Sequence, residues 1–112
     1  MRIEDYSFGY VKIDGEVHRR DVIVLPQRVV SNWWRRDGHA LVLRDLDEVL
    51  DELPGRLLIG TGAYGRMRPD PETLDRLHER GVDVEVLETA EAVRRYGALD
   101  PAATAAALHL TC

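Results

Sequence analysis

Leu57-Leu58-Ile59-Gly60-Thr61-Gly62-Ala63-Tyr64-Gly65, followed by Asp70-Pro71, is the stretch that decides the fold. The apolar run reads as a buried strand and the glycines as a tight turn. Asp70 and Pro71 read as the cap and first residue of a helix. A strand that passes through a glycine-rich turn into a helix aims backbone N–H groups at one point beyond the carboxyl end of a sheet. An anion or a carbonyl oxygen is what such a point receives. The spacing is not a dinucleotide fingerprint, because Gly65 already stands in the third glycine place and the helix begins only at Asp70. It is not a P-loop either, since no Gly-Lys-Ser/Thr follows. Two readings stay open. The glycines serve a turn that needs positive φ, or they belong to a ligand site. In the second, Gly60, Gly62 and Gly65 admit a ligand close to the backbone, Thr61 supplies a hydroxyl, and Arg66 and Arg68 add charge.

Downstream, Leu74, Leu77 and His78 share one side of the expected helix, and Gly81 ends it. Val82, Val84 and Val86 alternate with acidic residues and give a strand with one wetter face. Thr89 caps a helix through Tyr96, and Asp100-Pro101 opens a last, alanine-rich helix from Ala102 to His109. Upstream, Asp45 caps a short helix through Leu53, with Leu46, Val49, Leu50 and Leu53 on one face. Pro54-Gly55 ends it. Tyr10–Ile13 and Glu16–His18 flank Asp14-Gly15, which suits a type I′ hairpin. Asp21–Leu25 is a strand apolar enough to be buried on both faces, stopped by Pro26, and Val29-Val30 adds a short one. Strand–helix alternation in the second half implies right-handed parallel crossovers, and the hairpin at the start makes the sheet mixed. The expected fold is α/β: a single domain over residues 1–112, with helices on a central sheet and an N-terminal hairpin attached.

The 112 residues suffice for one hydrophobic core. A net charge of −5 disfavours general nucleic-acid binding. Of the 15 basic residues only Lys12 is lysine, a bias of composition before it is a functional signal. The only cysteine is Cys112, so no internal disulfide forms, and a reducing, cytoplasmic location is expected. The first residues are too polar for a secretory signal, and no apolar run approaches the ~20 residues of a membrane span.

Other residues invite chemistry. Trp33-Trp34-Arg35-Arg36 places adjacent tryptophans on an extended segment, whose side chains point to opposite sides. One anchors the core. The other, with Arg35, either forms a cation–π cover or belongs to a binding face, so Trp33, Trp34 and Arg35 are candidate ligand-binding residues. His39 is a structural donor, or a general base if it faces the glycine loop beside Thr61. His109 and Cys112 are too few ligands for zinc, and His109 at a helix end is accounted for by the helix dipole or by packing. His18 lies on the hairpin, and Asp45, Asp47, Glu48, Asp51 and Glu52 form a solvated face.

Several segments together resemble one family. They are Ser7-Phe8-Gly9, Ile13-Asp14-Gly15, Asp21-Val22, Trp33-Trp34-Arg35-Arg36 with Gly38-His39, Leu58-Ile59-Gly60-Thr61-Gly62 with Gly65, Val86-Leu87 with Thr89, Ala106 and Leu108-His109, and Thr111-Cys112. The chain is similar, nearly end to end, to the Mth938-like domain family, a domain of unknown function. The resemblance implies a three-layer α/β architecture around a mixed sheet. It implies no settled activity, while eukaryotic members act in assembly or regulation. Arg66-Met67-Arg68-Pro69 departs from the family pattern and makes the loop rim basic. Two functions follow. The first is a non-enzymatic binding or assembly module, a monomer or weak homodimer without cofactor, whose partner is a protein or a small anionic ligand at Gly60–Gly65. The second is a small hydrolase- or transferase-like enzyme using His39 and Thr61.

Overall fold

The computed structural model describes residues 1–112. Strands β1 (Ile3–Ser7), β2 (Tyr10–Ile13) and β3 (Glu16–His18) form a small antiparallel sheet. Its second turn has φ of 48° at Asp14 and 82° at Gly15, the left-handed pair that a type I′ turn requires. The main sheet contains β4 (Val22–Val24), β5 (Val29–Val30), β7 (Arg56–Gly60), β9 (Asp83–Leu87) and β10 (Thr104–Leu108). Their spatial order is β5-β4-β10-β7-β9. β10, β7 and β9 are mutually parallel, and β4 runs antiparallel to β10. β6 (Ala40–Leu41) pairs in parallel with β8 (Arg68–Pro69) as a separate short arm. Helices α1 (Pro71–Glu79) and α2 (Thr89–Gly97) complete the chain.

Alternation along each strand distributes the core over both faces. Ile23, Leu57, Ile59, Ala105 and Ala107 meet Leu77 of α1, Leu41, Leu46, Val49 and Met67 on one face. Val22, Val24, Leu58, Ala106 and Leu108 meet Ala92 and Tyr96 of α2, with Val11 and Ile13 of the small sheet, on the other. These are the three layers that the family resemblance implies.

Four local expectations are corrected. Ala102–His109 is not a helix: Thr104–Leu108 forms the central strand β10. All of its residues are buried between β4 and β7 with layers above and below, and this tertiary setting overrides the helix preference of alanine. Residues 45–53 do not form one helix but two 3-10 turns, Leu43–Leu46 and Leu50–Glu52. Asp45 does not open a helix there. Its carboxylate turns back to accept from the N–H groups of Val42 and Arg36. His78 is exposed, although Leu77 beside it is buried. Thr89 is the first residue of α2 and not its cap, and Asp70 precedes Pro71 as expected but makes no side-chain capping bond.

Candidate functional site

The register of the main sheet gathers distant segments at one end. Gly60 pairs with Leu108 and with Leu87, and Leu108 pairs with Val22. The loop after β7, the start of α2, the residues after β10 and Asp21 before β4 therefore emerge together. The Ser31–His39 loop is tied to the same end by the Trp33 N–H, which donates to the Asp21 carbonyl at 2.8 Å. This is the carboxyl end of the parallel strands, where open α/β sheets bind ligands.

A buried ionic network lies at its centre. Asp21 Oδ2 accepts from Arg35 Nη1 at 2.6 Å and lies 2.8 Å from His109 Nδ1, while Oδ1 accepts from the Leu110 N–H at 2.8 Å. His109 Nδ1 also lies 3.1 Å from Arg35 Nη2, so the imidazole, the guanidinium and the carboxylate meet at one point. Burial pushes the Asp21 carboxyl up. The hydrogen bonds from His109, the Leu110 N–H and Arg35 outweigh burial and hold it below the ordinary carboxylate value. Arg35 Nη2 donates to the Gly38 carbonyl, and the guanidinium lies 5.0 Å from the Trp33 ring centroid. Arg35 Nε is buried with no partner.

The glycine loop turns its donors toward the protein. Gly62 N–H donates to Thr89 Oγ1 at 2.8 Å, and that hydroxyl donates to the His109 carbonyl at 2.6 Å. Ala63 N–H donates to the Thr111 main-chain oxygen at 2.6 Å and Arg66 N–H to that of Cys112 at 3.0 Å. Gly60 is packed. A Cβ there would lie 2.9 Å from both Leu108 Cδ2 and Thr89 Oγ1, so the residue permits close contact between β7, β10 and α2.

On the other side of the loop a cleft of about 960 Å³ opens between the β6–β8 arm, α1 and the end of β9. His39, Thr61, Gly65 and Arg68 line it, joined by Tyr64, Asp70, Leu74, Val86 and Glu88. The Arg68 N–H donates to the His39 carbonyl at 3.0 Å, which fixes the two residues side by side. Thr61 Oγ1 donates to the Leu87 carbonyl at 3.1 Å. The remaining candidates lie elsewhere. Arg66 is exposed outside the cleft, and Arg35 is buried in the ionic network. Trp33 is buried, with Nε1 donating to the Asp45 carbonyl, whereas Trp34 is 76% exposed and lines a separate groove with Arg36 and Arg44. Sequence reasoning missed Asp21 and the true setting of His109. A lone charge at the mouth of the apolar run Val22–Leu25 was the only local signal.

Fold and site together define a three-layer α/β domain whose candidate surfaces lie at the carboxyl ends of its parallel strands. The family model described as a protein of unknown function, DUF498/DUF598, matches residues 3–109, and the chain belongs to that family. It is similar to the conserved hypothetical protein PH1505 of Pyrococcus horikoshii OT3, with 31% identity over the whole of both chains and a TM-score of 0.84. It is also similar to MT938, at 27% identity over 99% of this chain and 98% of that one, with a TM-score of 0.76. The fold recurs in a Mth938-like domain of Bordetella pertussis solved by solution NMR, at 22% identity over 97% and 85% of the chains, with a TM-score of 0.78. No helix is long and apolar enough to cross a membrane.

Proposed function

We propose that the chain is a binding module and that its ligand, a small molecule with an anionic group and an apolar body, sits in the cleft beside the glycine loop. The carrying observation is the convergence of His39, Thr61, Gly65 and Arg68 on that cleft. The ion pairs of the chain engage Arg28, Arg35, Arg56, Arg76, Arg80, Arg94 and Arg95, which leaves Arg68 free to meet an anion. Leu74, Val86 and Tyr64 supply the apolar wall. The enzyme reading has less support. The Thr61 hydroxyl donates to the Leu87 carbonyl and not to the His39 ring, so the pairing of base and nucleophile that the enzyme reading calls for is not among the hydrogen bonds of the site.

The test is an NMR titration with benzoate, which pairs a carboxylate with an apolar ring. Amide shifts are expected on Ala40, Tyr64, Gly65, Arg68, Leu74 and Val86, with several-fold weaker binding in Arg68→Ala. Amides that stay still at millimolar benzoate, or that move equally in Arg68→Ala, would rule the cleft out.

A further inference from the structure

The cleft beside the glycine loop carries charge of both signs. Arg68, Asp70 and Glu88 all line it, and none of them makes an ion pair with another residue of the chain. Asp70 precedes α1 without a side-chain capping bond, and Glu88 stands in the same way before α2. An anion that enters therefore meets one guanidinium in its favour and two carboxylates against it. A ligand that also brings a positive charge meets a partner for each sign.

The two carboxylates differ in setting. A Cβ at Gly65 would lie 3.5 Å from Glu88 Oε2 and 3.6 Å from Thr61 Oγ1, so both oxygens border the space that this glycine leaves without a side chain. Gly65 has φ of 68°, the left-handed conformation that favours glycine, so the gap belongs to the path of the loop itself. The Thr61 hydroxyl spends its proton on the Leu87 carbonyl and turns lone pairs to its other neighbours. An ionised Glu88 is likewise an acceptor only. Two acceptors on one gap select a cation rich in donors, and an ammonium group is that cation. Asp70 has no such companion and is shared with a neighbouring hollow beside Thr73 and Arg76.

We infer that the cleft takes the zwitterion of an amino acid with an apolar side chain, its ammonium bound by Glu88 and Thr61 and its carboxylate by Arg68. Tyr64 and Val86, which the free protein leaves 67% and 42% exposed on the wall of the cleft, receive the apolar side chain. The inference rests on the cleft proposed above as the ligand site and adds to that ligand a positive charge and the residues that read it.

L-Phenylalanine and 3-phenylpropanoate differ by the ammonium alone, and each is titrated against the full chain with amide shifts as the readout. Both should move Gly65, Arg68 and Val86, and phenylalanine should bind several-fold more tightly. Phenethylamine, which keeps the ammonium and lacks the carboxylate, should bind more weakly than phenylalanine. Glu88 is exposed, so Glu88→Gln keeps the fold. In that variant the preference for phenylalanine should vanish while 3-phenylpropanoate binds at least as well as before. In Asp70→Asn the preference should persist. Equal affinity of the unaltered chain for phenylalanine and 3-phenylpropanoate would overturn the inference and leave the cleft as a site for a simple anion. A preference that survives Glu88→Gln would also overturn it, because the ammonium would then be held elsewhere. Amides that stay still with all three compounds would remove the cleft itself, and the inference with it.

Discussion

At the scale of single residues, Asp21 carries the largest consequence. Its carboxylate receives Arg35, His109 and the Leu110 N–H, so it joins segments that the chain places up to 89 residues apart. Asp21→Asn keeps the shape but removes the charge, and an amide nitrogen cannot accept from Arg35 or His109. The guanidinium of Arg35, whose side chain is 4% exposed, is then left without a counterion. Breaking a buried pair in this way costs about 3–5 kcal/mol. The pH dependence has a definite sign. The folded-state value lies below the ordinary 3.8, so the unfolded chain protonates first as pH falls. The stability from Asp21 is present in full above that ordinary value and is lost as pH drops below it toward the folded value. Urea denaturation at pH 7 should reveal the cost of Asp21→Asn. Repeated toward pH 3, it should show a shallower loss in the variant than in the parent. A variant with the parent's stability at pH 7 would remove Asp21 from the framework.

At the scale of elements, β7 and β10 form the centre of the sheet. Leu58 is fully buried against Val22, Val24, Ala106 and Leu108, so Leu58→Ala is expected to cost about 2–5 kcal/mol by thermal or urea unfolding. Ala106 faces the same layer with no room to spare, and Ala106→Leu should cost about 1–3 kcal/mol by overpacking. Free tolerance of Ala106→Leu would contradict the close packing of α2 over β10. These strands also mark what was legible in the sequence. The hairpin, β4, β7, α1 and β9 carry period-two or helical patterns together with explicit turn residues such as Asp14-Gly15 and Gly81, and they form where expected. β10 carries neither β-branched residues along its centre nor a turn signature. Its alanines are small because layers press on both faces, a tertiary cause that imitates a helical composition. The candidate cleft was legible in part, because a glycine loop after a strand locates the sheet end in any α/β order. The Asp21–Arg35–His109 network was not, since no local pattern relates residue 21 to residue 109.

At the scale of the whole molecule, chemistry concentrates at one end of the sheet while the flanks carry paired charge. Arg36 and Arg66 on loops and Arg68 in β8 make no ion pair with a carboxylate. Arg56 and Arg95 on the flank share Glu85, whose carboxyl is held below its ordinary value by the hydrogen bond from Arg95 and, against the effect of burial, by that from Arg56. The two tryptophans divide along the same line. Trp33 is 8% exposed and bonded through Nε1 to the Asp45 carbonyl, so it pins the Ser31–His39 loop to the body. Trp34 is 76% exposed beside Arg36 and Arg44 and is bonded to nothing. Large exposed aromatics next to arginine are the residue types that dominate binding hot spots. Acrylamide quenching separates the roles. Trp33→Phe leaves Trp34 as the sole emitter, which should be quenched strongly and emit at long wavelength. Trp34→Phe leaves Trp33, which should be quenched weakly and emit to the blue. Trp33→Phe also loses the hydrogen bond to Asp45 and should lower stability by about 1–3 kcal/mol, because the carbonyl is left without its donor. Trp34→Phe should leave stability unchanged within about 0.5 kcal/mol, as a surface substitution does. Equal and weak quenching of the two variants would mean that both rings are packed, and the loop would then be structural and not a face that a partner can reach.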